Sequence, residues 1–135
     1  MTEGGTMLTK AEISEYRRHR RLKAKKGAVA VLCGRYYKIG PVIDITWGGL
    51  AFRYTYDDEK NLESAYRLSI FFTGEDFYLR TVPVEIVYDI EENSETPITA
   101  PRMKRCGVKF GRLTECQRFL LKQFIRNYTF GETHA

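Results

Sequence analysis

From residue 28 onward the chain is a series of short runs in which apolar residues alternate with polar ones or sit side by side, separated by turn-forming clusters. Residues 28–32 (Ala-Val-Ala-Val-Leu) open the series; residues 37–45 and 50–54 follow, joined by Thr46-Trp47-Gly48-Gly49. Tyr66-Arg67-Leu68-Ser69-Ile70-Phe71-Phe72 alternates and then closes on an apolar pair, as a half-buried strand does. After the turn Thr73-Gly74-Glu75-Asp76, residues 77–80 and 82–88 continue the pattern, with Pro83 marking a bulge or an edge. Cys106 to Phe110 is the last such run. Short strands at this spacing predict an antiparallel barrel or sandwich.

The period then changes. Leu120, Leu121, Phe124, Ile125 and Tyr128 recur at helical spacing. Thr114-Glu115-Cys116-Gln117 has the Ser/Thr-x-x-Glu/Gln form of a capping box, which starts the helix. This helix is expected to pack on an open end or face of the barrel, because so small a barrel needs a cover. Upstream of residue 28 the pattern is absent. Residues 1–12 read as a disordered tail and residues 13–27 as a flexible basic arm, with Ile13, Tyr16 and Leu22 as its apolar anchors. Residues 57–64 and 91–101 read as loops. The expected organisation is therefore tail 1–12, arm 13–27, β-barrel 28–112 and helix 113–130, with residues 13–130 forming one domain.

Composition narrows the function classes. A chain of 135 residues suits one domain, and its apolar content allows a packed core. The net charge of +5 points to anionic partners, and every charge between Arg17 and Lys26 is positive. Three cysteines without a Cys-x-x-Cys pair, and two histidines, argue against a structural zinc site. With no signal peptide or membrane span in view, reduced thiols and a cytoplasmic location are expected. No glycine-rich phosphate loop, Ser-His-Asp order or metal constellation is visible, so the chain reads as a binding module and not an enzyme.

Two stretches carry the candidate chemistry. In Asp44-Ile45-Thr46-Trp47-Gly48-Gly49, the acid and hydroxyl can fold back onto backbone N–H groups and shape a tight turn. Gly48 and Gly49 permit positive φ and leave no Cβ to hold a flat ligand away. On that reading Gly49→Val damages binding more than folding. Upstream, Tyr16-Arg17-Arg18-His19-Arg20-Arg21 places two arginines at Arg17-x-x-x-Arg21.

Arg-x-x-x-Arg followed some twenty-odd residues later by Asp-x-Ser/Thr-x-x-Gly resembles the PilZ family of bacterial cyclic di-GMP receptors. Arg105-Cys106-Gly107-Val108-Lys109-Phe110 is similar to that family's last strand. Thr46 stands where serine is commoner, keeping the hydroxyl and adding a methyl group. The resemblance runs from about Glu15 to Tyr128. It implies a small six-stranded antiparallel barrel with a C-terminal helix, and cyclic di-GMP held by Arg17, Arg18, Arg21, Asp44, Thr46, Gly48 and Gly49, with no other cofactor.

The chemistry suits such a ligand. Arginine forks onto phosphate oxygens or the O6/N7 edge of guanine, and a carboxylate matches guanine's N1–H and N2–H donors. The implied role is a receptor that orders its basic arm over the ligand and signals to an unidentified protein of motility, secretion or polysaccharide machinery. Two alternatives stay open: a PilZ-like protein–protein adaptor without nucleotide binding, and a nucleic-acid binder using the arm with Tyr36, Tyr37 and Trp47. The last leaves Asp44 unexplained, since an acid repels phosphate.

Overall fold

The computed structural model describes residues 20–56, 66–92 and 102–132. The tail 1–12, the first part of the arm with Arg17 and Arg18, and most of the two expected loops lie outside the described residues. The chain forms strands β1 (Leu22–Ala24), β2 (Ala28–Cys33), β3 (Tyr37–Ile45), β4 (Gly49–Thr55), β5 (Tyr66–Phe72), β6 (Tyr78–Glu92) and β7 (Met103–Phe110), then helix α1 (Glu115–Asn127) and strand β8 (Thr129–Glu132).

Six strands pair antiparallel in the order β2-β5-β6-β7-β4-β3, and β2 pairs again with β3 to close the ring. The six-stranded antiparallel barrel with a C-terminal helix is thus the fold observed. Closure removes the exposed sheet edges that so short a set of strands would otherwise present. β3 makes closure possible by dividing its partners along its length. Residues 37–41 pair with β2, whereas Ile45 and Asp44 pair with Leu22 and Lys23 of β1.

Alternation along the strands sends Leu32, Ile45, Phe52, Leu68, Ile70, Leu79 and Val82 into a core that excludes water. The helix begins where the capping box placed it. The Thr114 hydroxyl accepts from Gln117 N–H, and the Gln117 side chain accepts from Thr114 N–H. Its apolar stripe buries Leu121 and Phe124 in the barrel core, worth about 1.5–3 kcal/mol for each side chain. Phe124 and Tyr128 meet Phe77 with ring centroids 5.6 and 5.3 Å apart, and Tyr128 stacks on Phe72 at 4.4 Å.

Three local features differ from the expectation. The described end of the arm contains strand β1, pairing on one side with β3 and on the other with β8. Ala24 is buried and Leu22 packs on the core, so two apolar side chains accompany the hydrogen bonds that the neighbouring strands supply. The helix stops at Asn127, short of residue 130: the Tyr128 ring is held on Phe72, Tyr128 carbonyl accepts from Lys25 N–H at 2.8 Å, and the chain turns into β8. Finally, residues 78–92 form one strand that bends at Thr81 (φ 49°) instead of at Pro83; Thr81 N–H donates to the Ser69 hydroxyl at 3.0 Å, and the pairing with β5 slips there.

Candidate functional site

One cross-strand row organises the outer wall of the barrel. Asp44 on β3 is opposite Ala51 on β4, Ala51 is opposite Gly107 on β7, and Gly107 is opposite Tyr88 on β6. Successive residues of a strand face opposite sides, so these four share the outer face. The two middle positions are small, and the wall sinks between an acid on one side and a phenol on the other. The result is an open groove of about 410 Å³, within the range of about 300–1,000 Å³ usual for small-molecule sites. Arg21, Asp44, Thr46, Gly48 and Gly49 all line it, and Val87, Tyr88, Gly107 and Lys109 complete the opposite side.

The local sequence explains each placement. A register slip between Ile86 and Tyr88 inserts Val87 as an extra residue in β6, which bends the strand and re-aims Tyr88. The Tyr88 ring lies over Gly107 so closely that a Cβ there would be 2.2 Å from Tyr88 Cε2. On the opposite side, Lys23 pairs with Asp44, so β1 carries Arg21 to the same lip of the groove.

Thr46 shapes the turn. Its hydroxyl accepts from Gly48 N–H and Gly49 N–H, both at 3.1 Å, and donates to the Gly49 carbonyl at 3.3 Å. These three bonds use the donor and both lone pairs of one hydroxyl. The glycines serve differently from expectation. Neither Gly48 nor Gly49 has positive φ. Gly49 is buried in β4, where a Cβ would be 2.1 Å from the Val108 carbonyl oxygen. Backbone of β7 fills the space a side chain would need, so the expectation that Gly49→Val damages binding more than folding is corrected: the substitution strikes the packing of the barrel itself.

Arg105 joins the two walls. Its Nε donates to the Tyr88 hydroxyl at 3.2 Å, and its Nη2 is 3.5 Å from Asp44 Oδ2. The Tyr88 hydroxyl foremost, with Asp44 and Glu92 behind it, pushes the Arg105 guanidinium above its usual value against the opposing effect of burial. Next to it across the strands, Arg53 is forked onto Glu92 at 2.5 and 3.2 Å. Asp44 is therefore a nearly buried carboxylate held beside a cation, and its carboxylate end faces a groove floored by small residues. Such a surface admits a flat ring with N–H donors, and Arg21 and Lys109 place positive charge where anionic groups would lie. Among the described residues, no His, Cys, Asp and Glu group could hold a metal ion.

Of the residues singled out from the sequence, Arg21, Asp44, Thr46, Gly48 and Gly49 are brought together, while Arg17 and Arg18 lie outside the described residues. Tyr88, Ala51 and Lys109 were not anticipated, nor was the bridging Arg105. A signal for some of them existed: alternation through Arg105, Gly107 and Lys109 puts all three on one face, and a glycine inside a strand marks a close approach.

The sequence matches no protein-family model and none of the curated proteins. Solved structures do match. The PilZ domain of YcgR from Escherichia coli, solved with c-di-GMP, superposes with a TM-score of 0.62 at 13% identity over 83% of this chain and 90% of its own. PlzA of Borreliella burgdorferi, in complex with c-di-GMP, gives 0.55 at 11% identity, covering 87% of this chain and 55% of that one. MrkH, described as a c-di-GMP-dependent transcription regulatory factor, gives 0.56 at 12% identity, covering 82% and 50%. The fold is that of a PilZ domain.

Proposed function

We propose that this chain is a receptor for cyclic di-GMP that binds the nucleotide in the groove between Asp44 and Tyr88. The observation that carries the reading is the convergence of Arg21 with Asp44 and the adjoining Thr46–Gly49 turn, more than twenty residues further along the chain, on one groove of suitable size. Asp44 accepts from N1–H and N2–H of a guanine lying over Ala51 and Gly107. Arg21 forks onto phosphate or the opposite guanine edge, joined by Arg17 and Arg18 from the arm, and Lys109 adds positive charge at the far lip. Thr46 contributes mainly by holding the turn. No catalytic step is assigned to any residue.

The place where the arm enters the fold supports a route of transmission. It runs directly into β1, which is paired with Asp44's strand and with β8, and β8 follows the helix. Ordering the arm on ligand thus pulls on a strand pair that leads to the C-terminal element, from which a partner in motility, secretion or polysaccharide machinery reads the signal. Isothermal titration of the full chain with cyclic di-GMP, beside GTP and short single-stranded DNA, tests the reading. Saturable heat with cyclic di-GMP alone supports it; none at high micromolar ligand returns the chain to the adaptor class, and heat with DNA to the nucleic-acid class.

A further inference from the structure

β2 is apolar at all six positions, Ala28 to Cys33. An antiparallel barrel strand needs only its inward side to be so, and its solvent side ordinarily alternates to polar residues. Here Ala28, Ala30 and Leu32 point into the core, leaving Val29, Val31 and Cys33 on the outer wall. Their cross-strand neighbours extend the apolar surface. One outer row reads Pro41, Val29, Phe71, Tyr78, and the next reads Ile39, Val31, Ser69. In ring order the β2–β5 wall is diametrically opposite the β4–β7 wall that floors the groove.

The face has relief and a sign of charge. Val29 and Val31 are half-buried at its base, whereas Tyr37, Ile39 and Tyr78 stand 73%, 55% and 50% exposed on either side. The rings of Phe71 and Tyr78 meet edge to face at 6.4 Å, and the Arg80 guanidinium lies 4.9 Å from the Tyr78 centroid. On the outer side of these strands and in the β2–β3 turn the charged residues are Arg35, Arg67 and Arg80, all cations, while Lys38 pairs with inward-pointing Leu32 and the carboxylates of Glu75 and Asp76 are confined to the β5–β6 turn at one end. We propose that this face is a docking surface for a segment of a partner protein that presents apolar side chains flanked by carboxylates. Contiguous exposed apolar surface marks interaction sites, and complementary charge sets which partner is accepted. A second copy presenting the same face would offer, among the described residues, carboxylates only from the β5–β6 turn, Glu75 and Asp76. A lipid surface is flat, whereas this trough accepts inserted side chains. The inference does not depend on cyclic di-GMP, and being opposite the groove the face stays accessible when the groove is filled.

The test uses the full, isotopically labelled chain and three synthetic peptides with one shared Val/Leu/Phe centre, flanked by Glu, Ser or Lys. Backbone amide shifts report both place and affinity. The Glu-flanked peptide is expected to move amides of β2, the first half of β3 and β5, and to bind at least about tenfold more tightly than the Lys-flanked one. Arg67→Glu should reverse that preference, Ile39→Ser should weaken all three peptides, and Lys122→Glu on the helix should change neither. Arg35→Glu, in an exposed turn, gives the same reading should Arg67→Glu lose the dispersion of the folded spectrum. Equal binding of the three peptides, shifts mapping elsewhere, or no shifts would overturn the proposal. So would concentration-dependent shifts of these amides without peptide, which indicate a second copy. Binding to phosphatidylglycerol vesicles that is lost in Ile39→Ser would overturn it in favour of a membrane surface.

Discussion

The Tyr88 ring rests on Gly107, its direct cross-strand partner, in the space where any other residue would place a Cβ. The groove owes its far wall to that contact. It also sets the hydroxyl within 3.2 Å of Arg105 Nε, and Arg105 in turn reaches Asp44. Gly107→Ala should therefore lift the ring, break the Tyr88–Arg105 bond and weaken cyclic di-GMP binding, with an overpacking cost of about 1–3 kcal/mol. In a Tyr88→Ala background the same substitution should be nearly neutral. A double-mutant cycle on thermal stability checks this, and additive losses would mean that the contact is not the cause.

Gly49 is a different case, because its neighbour is main chain. A Cβ there would meet the Val108 carbonyl, which belongs to a strand paired on both sides. Even Gly49→Ala should cost stability, and Gly49→Val should cost more, on the order of 3 kcal/mol or above as an overpacked core site does. Urea denaturation monitored by Trp47 fluorescence measures it. A Gly49→Val protein of unchanged midpoint would contradict the packing described.

Thr46 should show itself in stability before it shows in binding. Thr46→Val keeps the shape and leaves Gly48 N–H and Gly49 N–H without their acceptor, at a cost of about 1–3 kcal/mol. Thr46→Ser retains the hydroxyl and should be close to neutral on both counts. The thermal midpoints of the two variants separate a hydroxyl requirement from a methyl one.

Positive charge alone can be told from a placed guanidinium. Arg21 lines the groove, whereas Lys26 is in the turn before β2. Arg21→Ala should weaken cyclic di-GMP binding by about 1.5–3 kcal/mol, as for hydrogen bonds to charged groups. Lys26→Ala should cost only about a few tenths of a kcal/mol at physiological salt. Arg21→Lys should also hurt, since an ammonium cannot fork. Titrations at low and moderate salt decide, and equal losses for Arg21→Ala and Lys26→Ala would reduce the arm to a charged tail.

Cys106 gives a pH signature. Burial in the core, reinforced by nearby Asp89, pushes its thiol up from 9.0 to about 12. The unfolded thiol ionises first, so this contribution to stability is whole below pH 9.0 and is lost as pH rises from there to about 12. Alkylation followed by mass spectrometry should find exposed Cys116 modified first and Cys106 only on unfolding. Early modification of Cys106 in the folded protein would argue against its burial.

The six barrel strands, the helix start and the turn at Thr46 were legible in the sequence because their causes are local. Alternation puts Leu68 and Ile70 on one side whatever they pair with, and Thr114 with Gln117 caps a helix within four residues. Closure of the barrel was legible only through resemblance, since alternation alone fits a sandwich equally well. The tertiary structure alone decided which residues became neighbours. Asp44, Ala51, Gly107 and Tyr88 form one row through three strand registers, and the slip that aims Tyr88 depends on how β6 pairs with β7. It also decided that Gly49 is a packing requirement and that Leu22–Ala24 is a strand, because a glycine's neighbours and a short segment's hydrogen-bond partners are supplied by distant parts of the chain. Local patterns record a residue's own preferences; a groove is made of pairings, and pairings between strands so far apart in sequence are set by the packing of the whole barrel.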